Sequence, residues 1–248
     1  MNQRIAVVTG GTGAIGTEIC RQLAQSGARV AALGHPLDAE RVPGWQAALK
    51  AQGYEVSVEL ADLGDFNAAA LAMQNIAVRL GSVDLLVNAA GITRDARFVK
   101  MNPEQWREVL ASNLDSVFNC SKAVFEGMCA RGFGRIVNIS SVNGQKGQFG
   151  QANYSAAKAG MHGFTMALAQ EGAAKGVTVN TISPGYIATP MTSAIKPEAL
   201  EKICAQIPTG RMGRPEEIAR VVIFLAADDA AYITGANIPV NGGLFMSA

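Results

Sequence analysis

The sequence predicts an α/β protein: a single domain, residues 1–248, built on a Rossmann-type doubly wound parallel sheet of about seven strands with helices on both faces. Short β-branched, apolar segments alternate with longer segments of helical periodicity along the whole chain. A glycine-rich turn follows the first strand. Hydrophobic residues make up 49% of the 248 residues, which is enough for a sizeable core.

The predicted strands cover residues 4–9, 29–33, 55–59, 83–88, 135–140, 177–182 and 236–240. The predicted helices lie between them, near 14–26, 39–52, 66–80, 103–131, 153–175 and 215–227. Apolar strands separated by helices favour a parallel sheet with right-handed crossovers, which places helices on both faces.

The segment 184–214 is the least regular, with four prolines between Pro184 and Pro208. Within it, residues 187–210 are either a mobile lid over a pocket or a plain surface excursion. Pro215 is suited to the first position of the following helix, with Glu216 and Glu217 in its first turn.

Composition excludes several classes of function. Lys and Arg number 21 and Asp and Glu 20, so the net charge of +1 offers no general attraction to nucleic acid or an anionic membrane. The four cysteines form no Cys-x-x-Cys pair and there are two histidines, which argues against a metal site. With no apolar run of membrane-spanning length and no leader-like start, we expect a cytoplasmic protein with reduced cysteines.

The glycine-rich turn matches the dinucleotide-binding pattern G-x-G-x-x-G between a strand and a helix. Glycines permit a tight turn and close approach of a pyrophosphate, and the helix start offers free N–H groups. The predicted cofactor-binding residues of this turn are Gly10, Gly11, Thr12, Gly13, Ala14, Ile15 and Gly16.

The end of the second strand, Gly34-His35, is where a ribose-reading carboxylate is expected. No carboxylate stands at that turn, and Asp38 comes slightly too late. With Arg41 nearby, this favours NADP(H) over NAD(H), although Arg41 is alternatively a solvated helix residue.

Two further strand ends are suited to cofactor contacts. Asp62-Leu63 follows strand three, where Asp62 could accept from the adenine amino group or cap a helix. Strand four ends in small residues that let a backbone pass close to a cofactor, namely Asn88, Ala89, Ala90 and Gly91.

The candidate catalytic residues are Asn113, Ser141, Tyr154 and Lys158. Tyr154 and Lys158 share one helix face because they are four residues apart. A tyrosine pKa of roughly 10 falls when a cation stands beside it, which predicts an acid that works near neutrality. Ser141 ends strand five at the ligand-binding edge of the sheet. Asn113 is a poor residue for the middle of a helix, which indicates either a specific role or a local hydrogen bond.

Taken together, the glycine turn, Asn113, Ser141, the Tyr154-x-x-x-Lys158 pair and Pro184-Gly185 resemble the short-chain dehydrogenase/reductase family over essentially the whole chain. The family usually has glycine where Ala14 stands and asparagine where Ala89 stands. The resemblance implies that the chain is a homotetrameric, NADP(H)-dependent oxidoreductase. It also implies nicotinamide contacts from Pro184, Gly185, Ile187 and Thr189.

The resemblance assigns roles to the catalytic residues. Tyr154 would be the general acid of reduction, and Lys158 would lower its pKa and hold the nicotinamide ribose. Ser141 would donate to the substrate carbonyl. Asn113 would hold a water that links Lys158 to solvent.

The loop 141–151 is similar to that of family members that act on acetoacetyl-CoA in polyhydroxyalkanoate synthesis. This implies reduction of acetoacetyl-CoA to (R)-3-hydroxybutyryl-CoA, with substrate contacts from Asp95, Ser141, Gln148, Phe149, Gln151 and Tyr186. Ordinary loop solvation also explains the two glutamines.

Two other functions stay open. A 3-oxoacyl chain on an acyl carrier protein would need a basic face, for which the candidates are Arg94, Arg97, Lys100 and Arg131. A non-catalytic nucleotide sensor is possible because fold does not determine function. The apolar residues that would build a tetramer on the two long helices are Phe118, Val124, Phe164 and Met166, and core packing explains them equally well.

Overall fold

A computed structural model describes residues 3–189 and 197–246. All seven predicted strands are confirmed, and they form one parallel sheet in the order β3-β2-β1-β4-β5-β6-β7. The strands are β1 Ile5–Thr9, β2 Arg29–Gly34, β3 Val56–Leu60, β4 Leu85–Asn88, β5 Gly134–Ile139, β6 Val177–Pro184 and β7 Asn237–Val240. The strand order reverses between β1 and β4, which opens a crevice at the carboxyl ends of these strands.

Helices cover both faces of the sheet, as the sequence predicts. They are α1 Ala14–Gln25, α2 Val42–Ala51, α3 Phe66–Leu80, α4 Pro103–Leu110, α5 Ser116–Arg131, α6 Asn143–Lys146, α7 Ala152–Gly172, α8 Pro197–Ala205 and α9 Pro215–Ala226. Among the residues described, no helix is both long and apolar enough to cross a bilayer.

The core has two layers because successive strand residues point to opposite faces. Ala6 and Val8 of β1 pack in a cluster with residues of α1, α2 and α9. Ile5 and Val7 pack in the other cluster, with residues of α3, α5 and α7. Strands buried on both faces explain why the sequence shows apolar runs instead of polar alternation.

Three helical segments differ from the sequence prediction. The predicted helix 103–131 is two helices, α4 and α5, joined by a π-helical turn at Ala111–Asp115. The irregular segment contains α8, which its prolines concealed, and the short α6 follows β5. Pro215 does begin α9, with Glu216 and Glu217 in its first turn.

Candidate active site

The glycine-rich turn joins β1 to α1 at the centre of the crevice. Gly10 has a φ of +62°, a left-handed conformation that disfavours side chains. A Cβ on Gly10 would also lie 2.8 Å from the Cα of Ala90. The hydroxyl of Thr9 accepts hydrogen bonds of 3.0 Å from both the Ala89 and Ala90 amides. The turn and the end of β4 are therefore held in direct contact.

The N-terminus of α1 fits a pyrophosphate. Its N-cap, Gly13, makes no side-chain capping bond, and the first-turn amides of a helix have no acceptor inside the helix. A Cβ on Gly13 would contact only the Gly10 carbonyl, at 3.2 Å, so the space in front of the helix stays open. Ala14 is the first residue of α1, so the departure from glycine at this position leaves the turn intact.

A cavity of 270 Å³ begins beside this turn. It brings together many of the predicted cofactor-binding residues, namely Gly10, Gly34, Arg41, Asp62, Leu63, Ala90 and Gly91. Its walls come from the ends of β1, β2 and β4 and from the segment after β3. A cavity lined by these strand ends and adjoining the glycine-rich turn fits the adenosine half of a dinucleotide.

Asp62 lines this cavity and does not cap α3. Its Oδ1 accepts a hydrogen bond of 3.0 Å from the Gly64 amide. The cap of α3 is Asp65, whose Oδ1 accepts from the Ala68 amide at 2.8 Å. The capping alternative for Asp62 is therefore wrong.

The expectation that no carboxylate stands at the end of β2 is also wrong. A 3₁₀ turn at Pro36–Asp38 brings Asp38 back, and its Oδ2 accepts from the Thr12 hydroxyl at 2.8 Å. Arg41 donates to Asp38 Oδ1 at 3.0 Å and to Thr12 at 3.1 Å. Burial acts to raise the Asp38 pKa, but hydrogen bonds from Arg41 and Thr12 and the charge of Arg41 outweigh it, and the pKa is lowered.

Asn88 faces away from the cavity. Its Nδ2 donates to Asn138 Oδ1 at 2.8 Å and to the Ser121 hydroxyl at 3.3 Å. Asn138 in turn donates to the hydroxyl of Thr165 on α7, at 2.8 Å. This buried network ties β4 and β5 to α5 and α7, so only the backbone of Asn88 can contribute to a cofactor site.

Asn113 lies in the π-helical turn and is fully buried. Its Nδ2 donates to the carbonyls of Ile92, at 2.9 Å, and Val109, at 2.8 Å. Its Oδ1 has no hydrogen-bond partner among the described residues. A Cβ on Gly91 would overlap this oxygen and lie 3.4 Å from Lys158 Nζ. The π-helical turn therefore places the Asn113 oxygen against Gly91, close to Lys158, a placement typical of π-bulges at functional sites.

The first turns of α7 present Tyr154 and Lys158 together. The Nζ of Lys158 lies 5.6 Å from the centre of the Tyr154 ring and donates to the Ile139 carbonyl at 2.9 Å. Because Lys158 is buried, its pKa is lowered to about 7. The lysine can therefore gain and lose a proton near neutral pH.

The Tyr154 pKa differs from the sequence prediction of a lowered value. Burial raises it, a hydrogen bond with Ser141 opposes that rise, and the charge of Asp95 adds to it. The prediction failed because it weighed the neighbouring cation and could not include the loss of water around the phenol.

Ser141 belongs to a series of hydrogen bonds that extends to Asp95, in the loop after β4. Its hydroxyl accepts from the Asn143 amide at 3.1 Å. The Asn143 side chain donates to Gln151 at 2.9 Å, and Gln151 donates to Asp95 Oδ2 at 2.9 Å. These hydrogen bonds bring Asp95, Gln151 and Ser141 together. Asn143, which links them, was missed, although its position two residues after Ser141 was a usable signal.

Asn153 is a second residue that sequence reasoning missed. It is fully buried, and its Nδ2 donates to the carbonyls of Arg94, at 3.1 Å, and Gln105, at 3.0 Å. These bonds fix the start of α7, and with it Tyr154, against α4 and the loop after β4. Only its place before Tyr154 could have drawn attention to it.

The other predicted substrate residues lie outside the set of hydrogen bonds that links Ser141 to Asp95. Phe149 is 83% exposed, and Gln148 accepts from Lys146 at 3.0 Å. Tyr186 lines a separate cavity of 190 Å³, together with Ile187, Thr209, Arg211, Gly213, Glu217, Ile218, Val240, Asn241 and Gly242.

The segment after β6 carries the predicted nicotinamide contacts. The Pro184 carbonyl accepts from Val142, next to Ser141, at 2.8 Å. The Gly185 amide donates to Val240 at 3.0 Å, and Ile187 pairs with Gly213 in an isolated parallel bridge. Thr189 directly precedes residues 190–196, which lie outside the described residues, as does that part of the predicted lid at 187–210.

The predicted basic face does not form as a unit. Arg94 is paired with Glu108 at 2.7 Å. Arg131, at the end of α5, donates to the Val83 carbonyl just before β4, whereas Ser141 follows the carboxyl end of β5. Arg131 therefore lies at the opposite end of the parallel strands from Ser141. Arg97 and Lys100 remain exposed. Within the described ranges, no cluster of His, Cys, Asp or Glu is arranged to bind a metal.

Comparison with known proteins extends over nearly the whole chain. A family model described as enoyl-(acyl carrier protein) reductase matches residues 11–245. The chain is 57% identical over 243 residues to the acetoacetyl-CoA reductase of Allochromatium vinosum, covering 98% of this chain and 99% of that protein. It is 53% identical over 246 residues to the acetoacetyl-CoA reductase of Cupriavidus necator, covering 99% and 100%. It is 44% identical over 244 residues to the 3-oxoacyl-(acyl-carrier-protein) reductase of Pseudomonas aeruginosa, covering 98% of each.

Proposed function

Since the chain belongs to the short-chain dehydrogenase/reductase family, we propose that it reduces acetoacetyl-CoA to (R)-3-hydroxybutyryl-CoA with NADPH. The observation that carries the proposal is the grouping of Ser141, Tyr154 and Lys158 at the carboxyl ends of the strands, with Lys158 Nζ 5.6 Å from the centre of the Tyr154 ring and donating to the carbonyl at the end of β5. The named acetoacetyl-CoA reductases similar to this chain support the choice of substrate. The product would supply polyhydroxyalkanoate synthesis.

The chain's own groups can supply the proton and hold the carbonyl. A nicotinamide, when bound, supplies the hydride to the carbonyl carbon. The Ser141 hydroxyl donates to the carbonyl oxygen and stabilises the negative charge that develops there. The Tyr154 hydroxyl then gives its proton to that oxygen. A raised Tyr154 pKa keeps the phenol protonated at neutral pH, which suits a general acid.

Lys158 and Asn113 would return a proton to Tyr154. The lowered Lys158 pKa of about 7 lets the lysine pass a proton onward and recover it. The buried Oδ1 of Asn113 is suited to hold a water near the lysine, because glycine at position 91 lets this oxygen and Lys158 Nζ approach the same point of the backbone.

Coenzyme preference for NADPH is supported by Arg41 at the mouth of the adenosine cavity. Its side chain is 55% exposed, so the guanidinium can reorient toward a phosphate in the cleft. Arginine is well suited to this because its planar fork binds phosphate through two parallel hydrogen bonds.

Acyl-CoA is favoured over an acyl carrier protein as the carrier. A carrier protein is acidic and needs a continuous basic surface, whereas Arg94 is neutralised by Glu108 and Arg131 lies at the far end of the parallel strands. Arg97 and Lys100 are exposed and come shortly after Asp95 in the chain. Two separate cations of this kind are suited to the phosphates of CoA.

Initial rates test this function. We expect kcat/KM for acetoacetyl-CoA with NADPH to exceed that for a 3-oxoacyl carrier protein by at least about tenfold, a difference of roughly 1.4 kcal/mol in transition-state binding. A higher value with the carrier protein would assign the chain to fatty acid synthesis instead. Coenzyme binding without turnover of either substrate would support the nucleotide sensor.

Gly91→Ala tests the space between Asn113 and Lys158. The added Cβ would overlap Asn113 Oδ1 and approach Lys158 Nζ at 3.4 Å. We expect kcat at saturating coenzyme and substrate to fall by about ten- to a hundredfold because both groups must shift. Gly163→Ala, an exposed glycine of α7 with nothing within 4 Å of the added Cβ, is the matched control. Equal kcat in the two variants would remove this space from the mechanism.

A homotetramer built on α5 and α7 remains part of the proposal. Phe118 and Met166 are 49% and 53% exposed, and Phe118 lines a surface cavity with Phe164. Val124 is buried and does not contribute to this surface. Such partly exposed aromatic and Met side chains are typical of protein interfaces.

We also retain the single-domain organisation and the cytoplasmic location as proposals. A single sheet that contains all seven strands supports the single domain. Four cysteines present as free thiols support the cytoplasmic location. The lid at 187–210 stays a proposal on the same terms, with α8 as its described helical part.

A further inference from the structure

We propose that Asp38 sets the coenzyme preference of this site by competing with the adenosine 2′-phosphate for Arg41, so that the chain also accepts NADH. The inference rests on the proposed function, since it concerns the same coenzyme cleft. It goes beyond that function because a carboxylate and a guanidinium, which favour opposite coenzymes, stand together at one end of the cavity.

The geometry places the Asp38 carboxylate where dinucleotide folds read the ribose. Gly34 is the last residue of β2, and a Cβ on it would lie 3.4 Å from Asp38 Oδ2 and 3.3 Å from the Thr12 methyl group. The carboxylate therefore covers the strand end, although it comes four residues later in the chain. The 3₁₀ turn holds it there, with its Oδ2 accepting from the His35 amide at 3.3 Å.

Arg41 is held by the groups with which a 2′-phosphate would compete. Its Nε lies 3.0 Å from Asp38 Oδ1 and its Nη2 lies 3.0 Å from Asp38 Oδ2, so the pair is bidentate. The Asp38 side chain is 21% exposed, against 55% for Arg41. The acid is thus the fixed member and the arginine the movable one.

These contacts give each coenzyme a different interaction. A 2′-phosphate gains Arg41 only by taking it from Asp38, and it is repelled by the carboxylate that remains. A 2′-hydroxyl can instead donate to the carboxylate and leaves the ion pair in place. Asp38 therefore weakens NADPH binding and strengthens NADH binding. The affinities of the site for the two coenzymes become more similar as a result.

Binding measurements on four variants test this. Dissociation constants for NADPH and NADH, and for adenosine 2′,5′-bisphosphate against AMP, would be measured by calorimetry with the wild type, Asp38→Asn, Arg41→Gln and the double variant. In Asp38→Asn we expect the NADPH-to-NADH affinity ratio to rise by about tenfold or more, with the same change for the two fragments. In Arg41→Gln we expect the ratio to fall.

Glu40→Gln is the matched control, because it removes an exposed acid from the same turn without touching the Asp38 ion pair. A ratio in Asp38→Asn within about fivefold of the wild type, or a change that Glu40→Gln reproduces, would overturn the inference while leaving the proposed function in place. Failure of the wild type to bind either coenzyme would overturn both. Comparing the double variant with Arg41→Gln measures the direct repulsion between the Asp38 charge and the phosphate, even if Asp38→Asn alone does not fold. The additional change that Asp38→Asn shows when Arg41 is present measures the competition for that arginine.

Discussion

Tyr154→Phe should lower kcat by about a hundred- to ten-thousandfold, which is the usual contribution of a positioned general acid. The substitution removes the phenolic hydroxyl and keeps the ring beside Lys158. Because one neutral hydrogen bond contributes little net binding energy, the NADPH dissociation constant should change by less than about tenfold. Initial rates at saturating acetoacetyl-CoA and coenzyme titration by fluorescence give the two quantities.

Tyr232→Phe is the control for this experiment, because Tyr232 is fully exposed and lies between α9 and β7. It should retain wild-type kcat. If Tyr154→Phe kept more than about a tenth of the wild-type kcat, another group would have to supply the proton, and the role of Tyr154 would be lost.

Lys158→Met should stabilise the coenzyme-free protein at neutral pH while abolishing its activity. Burial lowers the Lys158 pKa from 10.5 to about 7. Between these two values the unfolded chain binds a proton that the folded chain does not, so wild-type stability rises with pH across this window. Methionine has similar volume and no titrating group, so the variant avoids the linkage cost of a lysine whose pKa is lowered on folding, about 4 kcal/mol at pH 7.

Urea unfolding at pH 7 and pH 9 measures this effect. The wild type should gain about 2 kcal/mol relative to Lys158→Met over that interval, because other titrating groups are common to both proteins. Lys175→Met removes an exposed lysine just beyond α7 and should run parallel to the wild type. If Lys158→Met also ran parallel, the lysine would not be titrating near pH 7.

The prediction for Lys158 implies that the site lowers the stability of the fold. The buried lysine destabilises the fold below pH 10. It persists because the surrounding structure holds it, through the hydrogen bond that Lys158 donates to the Ile139 carbonyl. An active site that trades stability for a poised proton is a common outcome.

Local chemistry was sufficient to predict much of this protein from its sequence. Short β-branched, apolar segments alternating with longer segments of helical periodicity were sufficient to predict the seven strands and most of the helices, because length and β-branched content separate buried strands from helices. The glycine pattern and the spacing of Tyr154 and Lys158 were sufficient to predict the tight turn after β1 and the shared helix face of the two side chains, because both depend on residues close together in the chain.

Only the tertiary structure decided the properties that depend on distant groups. Asp38 returns to the strand end through a turn, Asn143 joins Ser141 to Gln151, and Arg131 falls at the opposite end of the parallel strands. The Tyr154 pKa is raised by burial, whereas the sequence predicted a lowered value. Burial depends on α7, β5 and the loops around them together. Desolvation and contacts between separate elements are absent from a linear pattern, and they determine the electrostatics of this site.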